Sequence, residues 1–275
     1  MSQLLAPVRR RKRLLGVIAL GVAAATALAL TALRGDAPLR GDAPLRVDPP
    51  LREDRAVPVV LIHGYGGSAA SVSALEARLE AAGHEVVAVN LPGSGTGDID
   101  VSAERVADVV AATGSRVVDL VGFSAGGVVA RAALDDLPAG TSARTVVTLG
   151  SPHHGARIAG MAASADPGAC TGACAQLVPG SAFLRDLNEP DETPEGTAFV
   201  SIWTALDEIV TPPGSATLDG ATNVRLQDVC PRSRAGHGDL KTDLAAAGLV
   251  LRALAGETER VAAPGCRALR ELADT

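Results

Sequence analysis

The chain has 275 residues, 47% of them hydrophobic, with 30 glycines and 17 prolines. This composition is typical of a compact globule with many loops and excludes disorder over most of the length. The formal net charge is −6 at pH 7, and residues 56–275 contain 15 Lys and Arg against 26 Asp and Glu, a net charge of −11 for that part. An acidic body with few basic residues excludes nucleic acid as an expected partner.

The N-terminal part has the pattern of an export segment followed by a spacer. Five consecutive basic residues, 9–13, precede an uncharged apolar run, 14–33. This order predicts that residues 1–33 are a secretory signal peptide or an N-terminal membrane anchor, so we expect a secreted protein or one anchored to the outer face of the cell membrane. Residues 34–55 contain Arg-Gly-Asp-Ala-Pro-Leu twice and are predicted to be a linker, which leaves residues 56–275 as the folded domain.

Short apolar runs alternate with helical patterns along this domain. The alternation predicts an α/β fold with a mostly parallel central sheet and helices on both faces. Functional residues of such a fold collect in the loops at the carboxyl ends of the strands. The predicted strands are residues 57–62, 85–90, 117–121, 144–149 and 199–204, and the predicted helices are residues 71–82, 102–112, 128–134, 181–188 and 239–254.

The strand at residues 117–121 leads into a glycine-flanked serine and then into a helical pattern. Gly122 and Gly126 lack side chains where strand and helix approach, which permits a sharp, strained turn with Ser124 at its tip. Its hydroxyl then stands at a helix N-terminus, where backbone N–H groups favour negative charge. This context predicts a nucleophile elbow with Ser124 as the nucleophile.

Six segments in this order resemble the α/β-hydrolase family, and within it the small secreted lipases and esterases of bacteria. The resemblance extends over residues 57–255 and implies the α/β-hydrolase fold with a serine hydrolase activity on carboxylic esters. The matching segments are residues 63–67, 122–126, 150–155, 179–188, 207–210 and 236–238.

Ester hydrolysis through a serine needs a base and a carboxylate that orients the base. In this family the chain order is serine, acid, histidine, and of the five histidines only His237 follows every plausible acid. Asp207 lies just beyond the predicted strand at residues 199–204, at the family's acid position, and Glu208 is the alternative. Asp239 is expected to cap the helix that follows.

An oxyanion hole needs two backbone N–H groups, one from the residue after the nucleophile and one from the first loop of the sheet. The resemblance places these on Ala125 and Tyr65. Because the donors are main-chain groups, the side chain of Tyr65 remains free to line an acyl pocket.

The other histidines are predicted to be structural. His63 is expected to orient the first loop, and His84 is expected to be solvated. His153 and His154 are adjacent in the chain, and neighbouring residues rarely converge on one metal ion without further ligands. We therefore expect no metal and no cofactor, with a structural calcium left open. Lys241 is expected at the surface.

An exported chain with four cysteines is expected to be oxidised. We predict bridges between Cys170 and Cys174 and between Cys230 and Cys266, although the two other pairings stay open. Residues 161–180 are predicted to be a loop. The longer stretch 151–180 is either a cap over the site or an inert insertion.

The predicted activity is that of a secreted, monomeric serine carboxylester hydrolase acting on lipid esters, in contact with a lipid interface. The same site also suits a small-ester esterase, a polyester hydrolase or an acyltransferase. From another class of protein, a non-catalytic lipid-binding protein on the same fold stays open.

Overall fold

A computed structural model of the protein describes residues 57–274. The predicted export segment at residues 1–33 and the predicted linker at residues 34–55 lie outside that range. Within residues 57–274, no helix is both long and apolar enough to cross a membrane.

Six strands form one sheet in the order β2-β1-β3-β4-β5-β6, and each neighbouring pair runs parallel. This confirms the predicted α/β fold with a parallel central sheet. The apolar pattern did not indicate β6, because Val224 is its one buried residue. The strands are β1 (Val59–Ile62), β2 (Val86–Val89), β3 (Val117–Phe123), β4 (Ser142–Leu149), β5 (Ala198–Trp203) and β6 (Thr222–Arg225).

Nine α-helices and six 3₁₀ helices connect and cover these strands within the described residues. The α-helices are α1 (Ser73–Ala81), α2 (Ile99–Thr113), α3 (Ala125–Ala132), α4 (Arg157–Ala165), α5 (Ala173–Gln176), α6 (Ala182–Asn188), α7 (Leu226–Val229), α8 (Leu244–Leu254) and α9 (Gly265–Ala273). The 3₁₀ helices are Ala69–Val72, Pro92–Gly95, Ala133–Asp136, Pro213–Ala216, Gly238–Lys241 and Thr258–Arg260.

The sheet separates two hydrophobic cores. In β1, Val59 and Leu61 enter one core, and Val60 and Ile62 enter the other. Helices α1, α8 and α9 complete the first core, and helices α2, α3 and α6 complete the second. Because β1 is buried on both faces, all four of its residues are apolar, which is why the strand reads as a continuous run in the sequence.

Two sequence-based predictions about helices need correction. The predicted loop at residues 161–180 contains the end of α4 and all of α5. The alanines of α4 favour a helix, but no side chain caps the N-terminus of α4, so the usual start signal is missing from the sequence.

The predicted helix at residues 239–254 is in fact a 3₁₀ turn, Gly238–Lys241, followed by α8. Asp243 caps α8 by accepting hydrogen bonds from the first N–H groups of the helix. The predicted capping role of Asp239 is therefore wrong. Its carboxylate instead accepts a hydrogen bond from the N–H of Gly236, in the loop before the turn.

Both disulfide bridges have the predicted pairing. Cys170, in the segment between α4 and α5, is bonded to Cys174 of α5. Cys230 is bonded to Cys266 of α9, which ties the C-terminal helix to the segment that precedes His237.

Candidate active site

Ser124 occupies a sharp turn between β3 and α3. Its backbone has φ 55° and ψ −129°, a conformation that non-glycine residues rarely adopt. The turn is held by close main-chain packing: a Cβ atom at Gly122 would lie 2.4 Å from Cα of Gly127, and one at Gly126 would lie 2.4 Å from the carbonyl oxygen of Ile62. Only glycine fits at either position, as the elbow motif predicts for Gly122 and Gly126.

His237 lies between Ser124 and Asp207. Its Nε2 is 2.9 Å from the Ser124 Oγ, and its Nδ1 is 2.8 Å from the Asp207 Oδ2. A carboxylate only accepts hydrogen bonds, so Nδ1 carries the proton and Nε2 is left as the acceptor for the serine hydroxyl. The structure therefore brings together the three side chains that the sequence proposes as nucleophile, base and acid.

The environment of Asp207 keeps its carboxylate in one orientation. The side chain is buried, and Oδ1 accepts hydrogen bonds from the N–H groups of Ile209 (3.0 Å) and Val210 (2.7 Å). This leaves Oδ2 directed at the imidazole. Glu208, the alternative acid, points elsewhere: its Oε2 accepts a hydrogen bond from the backbone N–H of His237 at 3.0 Å.

The first loop lies directly against the nucleophile. A Cβ atom at Gly64 would be 2.8 Å from the Cβ of Ser124, so the main chain that leads to Tyr65 passes beside the serine. Ala125 is the first residue of α3, where backbone N–H groups have no acceptor within the helix. The structure thus places both proposed oxyanion residues next to Ser124.

His63 holds this first loop in place. Its Nε2 accepts a hydrogen bond from the N–H of Leu91 at 3.1 Å, so the ring proton is on Nδ1, which donates to the carbonyl of Gly64 at 2.8 Å. Burial lowers the pKa of His63 below its ordinary value, which favours the neutral ring that both bonds require. The predicted role of His63, orienting the loop, agrees with these contacts.

An apolar cavity of about 270 Å³ opens beside the nucleophile. Helix α4 forms one of its walls through Ile158, Ala159 and Ala162. Ala162 belongs to the stretch that was predicted to be a loop, and no helix was predicted for the other two residues. The apolar spacing of these three residues was the signal for it. The cavity is lined by Tyr65, Ser124, Ala125, Pro152, Ala156, Ile158, Ala159, Ala162, Cys174, Leu177, Ile209 and Val210.

The predicted surface position of Lys241 is only partly right. The residue is half-buried, and its Nζ lies 5.1 Å from the ring centroid of Phe123, the residue before the nucleophile. On the same ring, His237 packs with its centroid 5.1 Å away. Phe123 therefore links the elbow to the base, a role for which the sequence contains no specific signal.

The neighbouring histidines have separate roles. His153 is fully buried, its Nε2 lies 3.1 Å from the hydroxyl of Thr148, and burial lowers its pKa well below the ordinary value. His154 is paired with Glu192. His84 is half-buried rather than solvated, and its pKa is lowered by burial. Among residues 57–274, no group of three or more His, Cys, Asp or Glu is arranged to hold a metal ion.

Comparison with known proteins places this site in context. A family model described as "Alpha/beta hydrolase family" matches residues 59–273. Lipase B of Aspergillus fumigatus has a similar fold, with a TM-score of 0.63 and 23% identity over 72% of this chain and 52% of that chain. The mature form of Bacillus licheniformis lipase BlEst2 has a TM-score of 0.52 and 21% identity over 64% of this chain and 86% of that chain.

A third similar structure is MGS-MChE2, an α/β hydrolase from the metagenome of lagoon sediments of Mar Chica, Morocco. Its TM-score is 0.53, with 20% identity over 74% of this chain and 92% of that chain. The present chain spans about half the length of the Aspergillus lipase. A search of curated proteins gives no match. At these identities, the structural likeness establishes the fold.

Proposed function

We propose that this chain, which belongs to the α/β-hydrolase family, is a secreted serine hydrolase of carboxylic esters. The observation that carries this proposal is the bridge that His237 forms between Ser124 and Asp207, with 2.9 Å on one side and 2.8 Å on the other. A nucleophile within reach of a base, and a base within reach of its orienting acid, is the geometry that covalent acyl transfer requires.

In the first half of the proposed reaction, the Ser124 hydroxyl gives its proton to His237 Nε2 while Oγ attacks the ester carbonyl carbon. The carbonyl oxygen becomes an oxyanion, which accepts hydrogen bonds from the N–H groups of Tyr65 and Ala125. Asp207 stabilises the imidazolium. When the intermediate collapses, the proton on Nε2 passes to the leaving alkoxide, and an acyl group stays bonded to Oγ.

In the second half, a water molecule takes the position of the departed alcohol. Nε2 of His237 removes a proton from the water as its oxygen attacks the acyl carbon, and the same oxyanion donors stabilise the second tetrahedral intermediate. Collapse breaks the bond to Ser124 Oγ, which recovers the proton from Nε2. The net reaction consumes one ester and one water and releases one acid and one alcohol.

The apolar cavity favours lipid esters as substrates. Except for the hydroxyl of Ser124 and that of Tyr65, the side chains that line it are apolar. Tyr65, Ile158 and Ile209 are also exposed, so the cavity meets solvent among apolar side chains. These features support an acyl chain in the cavity and contact with a lipid interface at its mouth, while the two disulfides support an oxidising compartment.

A fluorophosphonate ester is the direct test of the proposed nucleophile. We expect stoichiometric labelling at Ser124, located by mass spectrometry of the digested protein, and no labelling of Ser124→Ala. Ser94, the other non-glycine residue with positive φ among the described residues, is the matched control: Ser94→Ala should label like the wild type. Absence of label on the wild type would favour the non-catalytic lipid-binding protein.

Rates on p-nitrophenyl esters of increasing chain length test the proposed substrate class. Ala162 is an exposed residue of α4 that lines the cavity, whereas Ala165 is an exposed residue of the same helix that does not. Ala162→Leu should lower kcat/KM about tenfold for long acyl chains, because it fills space that the chain needs, and should spare the acetate ester. Ala165→Leu should leave the whole series unchanged. Equal effects on long and short chains would remove the acyl chain from this cavity.

A further inference from the structure

The carboxylate of Glu208 contacts the base by a route that the reaction described above does not use. We propose that Glu208 is a positioning residue: it holds the main chain of His237 so that the imidazole stays aligned between Ser124 and Asp207. This inference rests on the proposed function, because it concerns the alignment of the same base.

Two consecutive side chains bind the same histidine from different directions. Asp207 binds the ring, with its Oδ2 2.8 Å from Nδ1 of His237. Glu208 binds the backbone, with its Oε2 3.0 Å from the N–H of His237. Together they restrain the main chain and the imidazole of His237, so the ring has little freedom to rotate away from the serine.

The loop that carries His237 depends on such contacts. The carbonyl of Ala235 accepts a hydrogen bond from the hydroxyl of Thr204 at 2.7 Å, and the N–H of Gly236 donates to Asp239 Oδ2 at 2.9 Å. Each of these main-chain groups is bonded to a side chain rather than to a strand or helix. Thr204 and Glu208 both belong to the segment that follows β5, which is also the segment that carries the acid.

Gly236 allows the carboxylate to approach this closely. A Cβ atom at Gly236 would lie 2.7 Å from Oε2 of Glu208, so a side chain at this position would displace the carboxylate. The carboxylate therefore packs directly on the main chain of the loop. A hydrogen bond from an N–H group to a charged acceptor is also stronger than one to a neutral acceptor, which suits a contact that has to hold a catalytic side chain.

The exposure of Glu208 distinguishes a role in positioning His237 from a general role in folding. Its side chain is exposed, and substitutions at exposed residues usually change stability by no more than about 0.5 kcal/mol. The alignment of a base is far more sensitive, since a displacement of about 1 Å costs up to about 100-fold in rate. Substitution of Glu208 is therefore expected to lower kcat while leaving KM and the folded state nearly unchanged.

Three variants separate the hydrogen bond from the charge. Glu208→Ala removes both and should lower kcat about tenfold with KM within twofold of the wild type. Glu208→Gln keeps an oxygen acceptor at the same distance and should recover most of this loss. Glu208→Asp keeps the charge but is one methylene too short to reach His237, so it should behave like Glu208→Ala. Glu195→Ala is the matched control, because Glu195 is an exposed glutamate that lies just before the N-terminal end of β5, whereas Glu208 follows the C-terminal end.

A second measurement does not depend on catalysis. Hydrogen exchange at the His237 amide, followed by NMR of the ¹⁵N-labelled full-length protein, should be faster in Glu208→Ala and Glu208→Asp than in the wild type and in Glu208→Gln. If the wild type hydrolyses esters and Glu208→Ala keeps its kcat, or if Asp rescues and Gln does not, the positioning role is wrong. If the wild type hydrolyses no ester, the proposed function fails, and amide exchange still decides whether Glu208 restrains the loop.

Discussion

The two halves of the candidate site are held by different forces. Around Ser124, main chain packs on main chain: a Cβ atom at Gly126 would lie 2.4 Å from the carbonyl oxygen of Ile62, and the N–H of Ser124 donates to the carbonyl of Leu149 at 2.8 Å. Around His237, side chains hold the loop, chiefly Asp207 and Glu208. At Gly122 and Gly126 the serine half has no space for a Cβ atom, whereas the histidine half depends on the hydrogen bonds of single side chains.

This difference affects how each half can fail. A strained turn such as that of Ser124 persists only where its surroundings leave no alternative, so a change in packing there acts on folding. A loop held by separate hydrogen bonds loses them one at a time, so a change there acts first on the alignment of His237. Stability and activity should therefore respond differently to substitutions in the two halves.

The largest expected effect comes from removing Ser124 or His237, whose side chains are hydrogen-bonded to each other and so join the two halves of the site. Ser124→Ala and His237→Ala should each lower kcat by about 10⁴-fold or more, and the double variant should lose little beyond either single variant, because each side chain needs the other. Asp207→Asn should be milder. Steady-state kinetics with a p-nitrophenyl ester measure this, and multiplicative losses in the double variant would mean that the two residues do not share a mechanism.

Glycine substitutions should distinguish the halves by stability. Gly126→Ala places a Cβ atom on the main chain of β1 and is expected to cost more than about 3 kcal/mol of unfolding free energy. Gly238→Ala, next to His237, meets no atom within 4 Å and should change stability by less than about 0.5 kcal/mol. Urea unfolding monitored by circular dichroism measures both. A stable Gly126→Ala protein would show that the packing at the elbow can relax.

The Cys230–Cys266 bridge should stabilise the histidine half. It closes a separation of 36 residues and ties α9 to the segment before His237, so Cys230→Ser with Cys266→Ser is expected to cost about 2 to 4 kcal/mol. The Cys170–Cys174 bridge closes a separation of only four residues, so its removal should cost less. Thermal unfolding of the two double variants gives the comparison. Equal losses would contradict the dependence on loop length.

The smallest expected effect concerns pH and the serine half. Burial lowers the pKa of His63, so the folded state binds a proton less readily than the unfolded chain. Its contribution to stability is therefore complete above about pH 6.5 and is lost on acidification, by at most about 1.4 kcal/mol per pH unit. The side chain of His63→Asn supplies a donor and an acceptor that do not titrate, so the free energy of unfolding of this variant should fall less between pH 7 and pH 5 than that of the wild type. Urea unfolding at the two pH values measures this, and parallel losses would exclude His63 as the cause.

The sequence by itself determined the parts of the protein that depend on local chemistry. A strand buried on both faces must be apolar throughout, as β1 is, and each of β2 to β5 contains a short apolar run that predicted a strand. The elbow was visible because only glycine fits at positions 122 and 126. The start of α6 is likewise local, because the hydroxyl of Ser181 accepts a hydrogen bond from the N–H of Leu184, only three positions away.

Tertiary structure decided whatever depends on residues distant in the chain. Asp207 and Glu208 are adjacent carboxylates, and only the position of the loop 30 residues later directs one to the ring of His237 and the other to its backbone. Helix α4 carries no capping side chain, and it lines the same cavity as Ser124, a residue more than 30 positions earlier in the chain. Strand β6 has a single buried residue, so its place in the sheet comes from pairing with β5. These features have no local signal because the groups that stabilise them meet only when the chain has folded.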